Sequence, residues 1–244
     1  MSQVMFYEKP IALDRETHRS VRIGAMPNYL FAAKTNSVIL AGVEFAEAAK
    51  EYPVVFAKVG DEKFIPVALL GMRDNENLYV DEEGKWSARY IPAFVRRYPF
   101  VLADNGTDQL TLCIDESSPA FNAENGQALF DESGEATAFL KQALDFVADY
   151  QGQHGRTEAF MSRLNELGLL IELSAKADMN DGSSYVINGL MVVDEQKLLA
   201  LDSAKVEELF KSGMLGWIYA HLISLSNMPR LIELIAQRKP KELH

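Results

Sequence analysis

The sequence predicts an α+β fold, a mainly antiparallel sheet with amphipathic helices packed on it and a C-terminal helical segment. Three observations lead there. Compact apolar runs separated by short turns fill the first half, without a regular strand–helix–strand period. From residue 135 onward the apolar spacing changes to the 3.6-residue period of a helix. A second strand pair, across 169–194, then interrupts the helices.

Each element has a local reason. Gly42 to Tyr52, with Val43, Phe45, Ala46, Ala49 and Tyr52 apolar, suits a helix leading into a strand from Pro53. Pro53–Val59 and Phe64–Gly71 are short β-rich runs bounded by Gly60-Asp61 and by the polar 73–77, which predicts consecutive antiparallel strands. Leu78–Val80 and the turn Asp81–Gly84 continue that meander. Phe100–Ala103 and Leu110–Ile114 flank Asp104–Asp108, whose Asn-Gly tolerates the positive φ of a hairpin turn. The longest polar stretch, 116–134, marks a surface loop or a sub-boundary. Ala136, Phe139, Leu140, Ala143, Phe146, Val147 and Tyr150 then mark one helical face. Phe160, Met161, Leu164 and Leu167 mark another, ending at Gly168. Leu169–Leu173 and Tyr185–Val193 read as strands around the turn 178–184. Asp202 caps a helix over 203–212 and Gly213 takes the left-handed position after it. Met214–Ser226 is apolar on nearly every side, which predicts a buried helix with Trp217 and His221 in the core. Asn227 and Pro229 open a last helix through about Gln237, and 241–244 form a frayed tail on a single domain over 1–240.

The chain has 244 residues, 48% of them hydrophobic and 24% charged, a composition that excludes wholesale disorder. A formal net charge of -11 argues against a nucleic-acid partner, which needs clustered cations, and against an anionic membrane surface. Cys113 is the sole cysteine, so no intrachain disulfide forms, in keeping with a reducing compartment. The first residues lack a basic segment followed by an apolar run, and no apolar stretch reaches the roughly 20 residues of a membrane-spanning helix. A soluble, cytoplasmic protein is the expectation.

Against that acidic background, Gly84–Ala103 carries Lys85, Arg89, Arg96 and Arg97 and no acid, interleaved with Trp86, Tyr90, Phe94, Tyr98 and Phe100. Pro92 opens a short helix over 92–98, with Arg96 and Arg97 in its last turn. Guanidinium groups beside aromatic rings suit recognition of a carboxylate, phosphate or peptide backbone. Trp86, Arg89, Tyr90, Arg96 and Arg97 are therefore the candidate ligand-binding group. The competing structural reading has Trp86, Tyr90 and Phe94 as core anchors and the arginines paired with acids.

Catalytic and metal signatures are absent from the sequence. His221 and Ser224 stand three apart on one helix, without an orienting acid or oxyanion hole nearby, so a core histidine bonded to a carbonyl is the expectation. His18, His154 and His244 show no ligand spacing. The acids of 178–183 fall at the wrong offsets for a calcium loop. Gly84-Lys85 lacks the rest of a phosphate-binding loop. No metal and no cofactor is implied.

Four words of the chain, Tyr52–Phe56, Trp86–Phe100, Val193–Leu198 and Gly213–Asn227, resemble the bacterial SapC family, in the right order and over nearly the whole length. The resemblance implies an α+β protein of about this size from a family named for an association with a bacterial surface layer, and it brings no catalytic residues with it. Three function classes follow. An accessory protein binding an anionic small molecule, a peptide or a protein partner predicts a pocket beside the arginines. A structural or secretion-related surface-layer protein predicts ordered self-association. An enzyme predicts converging base and nucleophile near His221.

Overall fold

The structure is a computed structural model that describes residues 5–60, 63–104, 110–178 and 184–238. In chain order its elements are β1 (Pro10–Ala12), β2 (Arg22–Ile23), β3 (Ser37–Ile39), α1 (Phe45–Ala48), β4 (Val54–Val59), β5 (Lys63–Leu69) and α2 (Ala93–Arg96). There follow β6 (Phe100–Asp104), β7 (Leu110–Asp115), β8 (Gln127–Ala128), α3 (Ala138–Glu166), β9 (Leu170–Asp178) and β10 (Ser184–Val193). The chain finishes with α4 (Glu195–Leu199), α5 (Ser203–Lys211), α6 (Met214–Ser224) and α7 (Met228–Gln237). The turn residues expected at 105–108 and 179–183, and the tail 241–244, lie outside the described residues.

The fold is α+β, with antiparallel sheets. β3, β5, β4, β10 and β9 form one five-stranded sheet, in which Val55 faces Val67 and Met191 faces Phe56. The two halves of the chain thus meet in one sheet, as the strand pattern predicts. β6 and β7 do not join it. They pair with β1 instead, and β2 pairs with β8. Leu78–Val80 is buried but is no strand, making a single bridge from Val80 to Trp86. The polar stretch 116–134 carries β8 and buries Ala120, Phe121 and Leu129.

The predicted pair of helical faces belongs to one helix. α3 runs 29 residues from its N-cap Thr137, whose hydroxyl accepts from the Leu140 amide, straight through Gly152 and Gly155. Each glycine costs about 1 kcal/mol relative to alanine inside a helix. Both are exposed, and the side chains on either side of them hold the helix in place. Leu140 and Val147 pack into a smaller core with Ile23, Phe100 and Phe121. Tyr150, Phe160, Met161 and Leu164 pack into the larger core beneath the five-stranded sheet.

The helix expected over 42–52 is shorter, a 3-10 turn at Gly42–Glu44 continued by the single turn of α1. Asp202 caps α5 by accepting from the Lys205 amide, and Gly213 sits at φ 77°, as its place after the helix requires. The helix after it departs from expectation. Only Ile218, His221 and Ser224 of α6 are buried, while Tyr219 and Ile223 are exposed and Trp217 is half-buried. An all-round apolar sequence cannot say which faces find a partner, and here only one does. No helix among the described residues is long and apolar enough to cross a membrane.

Candidate functional site

The segment from Trp86 to Pro99 is bolted down at two buried side chains from the first quarter of the chain. Tyr52 accepts a 2.8 Å hydrogen bond from Trp86 Nε1, and its own hydroxyl donates to the Tyr90 carbonyl. Glu44 is only 6% exposed, yet no described cation pairs with it. Its carboxylate accepts instead from the Ala93 amide and the Tyr90 hydroxyl, both at 2.7 Å, and from the Ala41 amide at 2.8 Å. Burial, and then the charge of Glu44, push the Tyr90 phenol well above its ordinary pKa, so it stays a donor. Pro92 stands as the N-cap of α2, which is a single turn rather than the expected helix over 92–98.

This anchoring splits the predicted recognition group. Trp86 is 6% exposed, with its N–H spent on Tyr52 and its ring edge-on to Tyr29. Phe94 is likewise core. Arg89 is exposed, at a distance in the chain from the helix turn that carries the other two. Tyr90, Arg96 and Arg97 come together. Arg96 is exposed, donates Nε–H to the Ile91 carbonyl at 2.9 Å, and lies over the rings of Phe146 and Tyr90 at 5.1 and 5.8 Å. Arg97 is half-buried, 4.1 Å from the Phe94 ring centre and 5.4 Å from that of Tyr150, and its charge acts on the Tyr7 hydroxyl. Among the described residues neither arginine pairs with a carboxylate. The expected ion pairs with the protein's many acids are replaced by aromatic faces.

Beside these arginines lies a cavity of about 310 Å³. Arg96, Arg97, Tyr98, Pro99 and Phe100 form one wall, Phe139, Gln142, Ala143, Phe146 and Val147 of α3 the second, and Ile23, Gly24, Met26 and Ala120 the floor. Its lining residues carry apolar side chains apart from Arg96, Arg97, Gln142 and Tyr98 with its hydroxyl. That hydroxyl donates to Asp115 at 3.1 Å, and burial raises its pKa to about 12. Tyr98 also lines a second hollow, of about 740 Å³, with Phe6, Tyr7, Phe31 and Glu8. Glu8 is the one charged side chain among its described walls, so it has no counter-charge for an anion.

The residues that complete the arginine site without having been singled out for it are Glu44, Tyr52, Gln142, Phe146 and Tyr150. Phe146 and Tyr150 are legible as one helical face, but nothing local to them points to Arg96 and Arg97.

The alternative centre at His221 is spent on structure. The ring is fully buried, with Nδ1–H donating to the Val54 carbonyl at 2.8 Å and Nε2 accepting from the Val193 amide at 3.0 Å, which fixes the tautomer. Ser224 accepts from the Val54 amide at 2.9 Å and donates to the His221 carbonyl. Desolvation lowers the His221 pKa to about 4. It is the carbonyl-bonded core histidine that the sequence leads one to expect. Cys113, in β7, has its thiol pKa raised by burial. No group of three or more His, Cys, Asp or Glu among the described residues is arranged to hold a metal.

A family model described as SapC matches residues 13–231. No curated protein and no solved structure matches the chain.

Proposed function

We propose that this chain, which belongs to the SapC family, is an accessory or binding protein that takes an anionic small molecule or peptide at the Arg96–Arg97 cavity. One observation carries the reading. Two guanidinium groups with no acidic partner among the described residues stand at a largely apolar cavity, and aromatic rings pack against them there. Low-dielectric walls strengthen any charge-assisted hydrogen bond made inside. Tyr90 belongs to the site as a support, joining Glu44 to Arg96, whereas Trp86 supports it at one remove through Tyr52. Arg89 would act only toward a ligand large enough to extend along the surface. The commitment of His221 and Ser224 to the Val54 backbone supports a binding role over an enzymatic one. We take 1–240 as one functional unit and the cytoplasm as its compartment, the latter because its sole cysteine leaves the chain without an intrachain disulfide, in keeping with a reducing environment.

The test is a set of thermal melts with and without small carboxylates, phosphates and acidic peptides. A ligand present at 100 times its Kd adds about 2.7 kcal/mol to the stability, several degrees in Tm. That rise should appear in the wild type and vanish in Arg97→Ala, with a smaller loss in Arg96→Ala. A rise that persists in both variants would sink the proposal.

A structural, self-associating role is the second reading. It is favoured by the exposure of Tyr219 and Ile223 on α6 and of Leu199 and Phe210 just before it. Sedimentation across a hundredfold concentration range checks it. A monomer throughout excludes self-association through this face.

A further inference from the structure

We infer that β9 pairs antiparallel with β9 of a second copy of this chain, with Ser174 on the twofold axis, so that two five-stranded sheets become one. This surface is separate from the Arg96–Arg97 cavity and from the exposed face of α6. β9 ends its sheet, pairing with β10 along one edge. Open edges are ordinarily kept short, interrupted by proline or covered by another element. β9 has nine residues and no proline, and among the described residues no other element shares a backbone hydrogen bond with it. The register says which groups that edge presents. Asp194 N–H donates to the Leu169 carbonyl, and Leu170 faces Val193 in the same register. Hydrogen-bonded and non-hydrogen-bonded positions alternate along an antiparallel pair, so Ile171, Leu173, Ala175 and Ala177 turn their backbone groups toward β10. The bulge between Ile187 and Leu190 has its extra residue in β10 and leaves this alternation intact. The N–H and C=O groups of Leu170, Glu172, Ser174, Lys176 and Asp178 therefore face outward. Val193 agrees with that phase, because its amide turns away from β9 to His221.

The sequence of β9 complements its own reverse, which selects a second copy as the occupant. Antiparallel pairing about Ser174 sets 170 opposite 178 and 172 opposite 176, and it is the register that overlaps the whole strand. It places Glu172 opposite Lys176 twice, and unlike charges at facing positions stabilise an antiparallel pair. The neighbouring registers that also match outward groups are shorter. One sets Glu172 opposite Ser174, and the other sets it opposite Asp178, a like charge. Burial points the same way. Leu173 packs against the main core, yet Ile171, on the same face, is left 46% exposed where the sheet stops. An added strand covers it, with Ala177 of the second copy at the facing position. A strip one strand wide is a small interface, so the dimer is weak and depends on concentration.

Sedimentation of the full chain from micromolar to near-millimolar concentration tests this, with the mass expected to rise from one chain toward two. Ser174→Pro removes an outward N–H and leaves the ladder to β10 whole, so it should abolish the dimer with little change in Tm. Glu172→Lys and Lys176→Glu each put like charges at both facing positions, and each alone should weaken the dimer about tenfold or more. The two single variants mixed together regain unlike charges at both positions, as does the double variant Glu172→Lys/Lys176→Glu, and both should dimerise again. That rescue does not depend on Ser174→Pro folding well, and it is specific to the antiparallel register about Ser174. Wild type that stays monomeric throughout overturns the proposal. So does a dimer that persists in both charge variants, or one that Ile223→Ser on α6 dissolves and the charge variants do not. Loss of the dimer in the charge variants without recovery on mixing overturns the register.

Discussion

His221 and Val54, 167 residues apart in the chain, are joined by a 2.8 Å hydrogen bond from the imidazole Nδ1–H to the strand carbonyl. With Ser224 taking the Val54 amide and Val193 donating to Nε2, the histidine ties α6 to the two central strands β4 and β10. Its ring also stacks on Phe56 at 4.5 Å. The neutral form makes all of these contacts, and burial holds the pKa near 4, below the ordinary histidine value of 6.5.

A pH dependence of stability follows. The unfolded chain binds a proton at His221 below about pH 6.5, and the folded chain does not until near pH 4. The contribution of this residue is therefore complete above pH 6.5 and is lost as the pH falls from 6.5 to 4. Between pH 7 and pH 5 the loss amounts to about 2 kcal/mol. Urea denaturation at the two pH values measures it, with His221→Gln as the reference that lacks the titrating group. An equal drop in the variant would assign the effect to other residues.

Glu44 joins Ala41 to Tyr90 and Ala93 by accepting three hydrogen bonds. Glu44→Ala strands two buried backbone amides and a phenol, at a cost of about 1–3 kcal/mol for each buried group left unpaired. A loss of about 3 kcal/mol or more in chemical denaturation is expected. Glu44→Gln keeps one good acceptor and should lose about half as much. Should Glu44→Ala be as stable as the wild type, the arginine turn is not held by this carboxylate.

What the chain shows locally and what it hides divide along the same line. Asp202, Gly213, Asn227 and Pro229 mark helix boundaries because capping chemistry acts over three or four residues, and those boundaries appear where expected. The concentration of Arg96 and Arg97 beside aromatics is equally visible. Their partners are not. Glu44 meets Ala93 across 49 residues, and Tyr150 meets Arg97 from the far side of β6 and β7, so no spacing rule records either contact. Hydrophobic periodicity errs for a related reason. It reports which residues are apolar but cannot report which faces of α6 are covered.

Asp115 is fully buried, and among the described residues it accepts from neutral donors. They are the amides of Glu8, Lys9 and Ser117 at 3.0, 2.9 and 3.2 Å, the Ser117 hydroxyl at 2.7 Å and the Tyr98 hydroxyl at 3.1 Å. Desolvation alone would raise its pKa, but these donors outweigh it and hold the carboxyl below the ordinary value. The stability it adds is present above pH 4 and is lost on acidification below that. Asp115→Asn turns one acceptor into a donor facing donors, and a destabilisation of about 2–3 kcal/mol at pH 7 is expected. Near pH 2 the gap between the two proteins should narrow. A constant gap across that range contradicts an ionised Asp115.

Gly42 and Trp217 are in direct steric conflict with any larger residue at position 42. A Cβ built there would lie 2.3 Å from Trp217 Cζ3 and 2.4 Å from Cε3. The Gly42 amide also donates to Thr157 Oγ1 at 2.9 Å, which fixes the backbone against α3 and leaves little room to retreat. On the other side the indole is backed by Phe160 at 5.4 Å and Phe45 at 6.2 Å, with Arg156 over it at 5.5 Å. Overpacking of this kind costs about 1–3 kcal/mol, so Gly42→Ala should destabilise by about that amount. Trp217→Ala opens a gap but removes the obstacle, and because the indole is only half-buried its cost should fall below the ~3–5 kcal/mol of a fully buried tryptophan. The double variant should then be more stable than the two losses added together predict, with a coupling of about 1 kcal/mol or more. Fluorescence of Trp86, the other of the chain's two tryptophans, follows unfolding in the variants that lack Trp217. Strict additivity in this cycle would mean that the indole does not rest against Gly42, and that α6 is not packed on the Gly42–Glu44 turn through this contact.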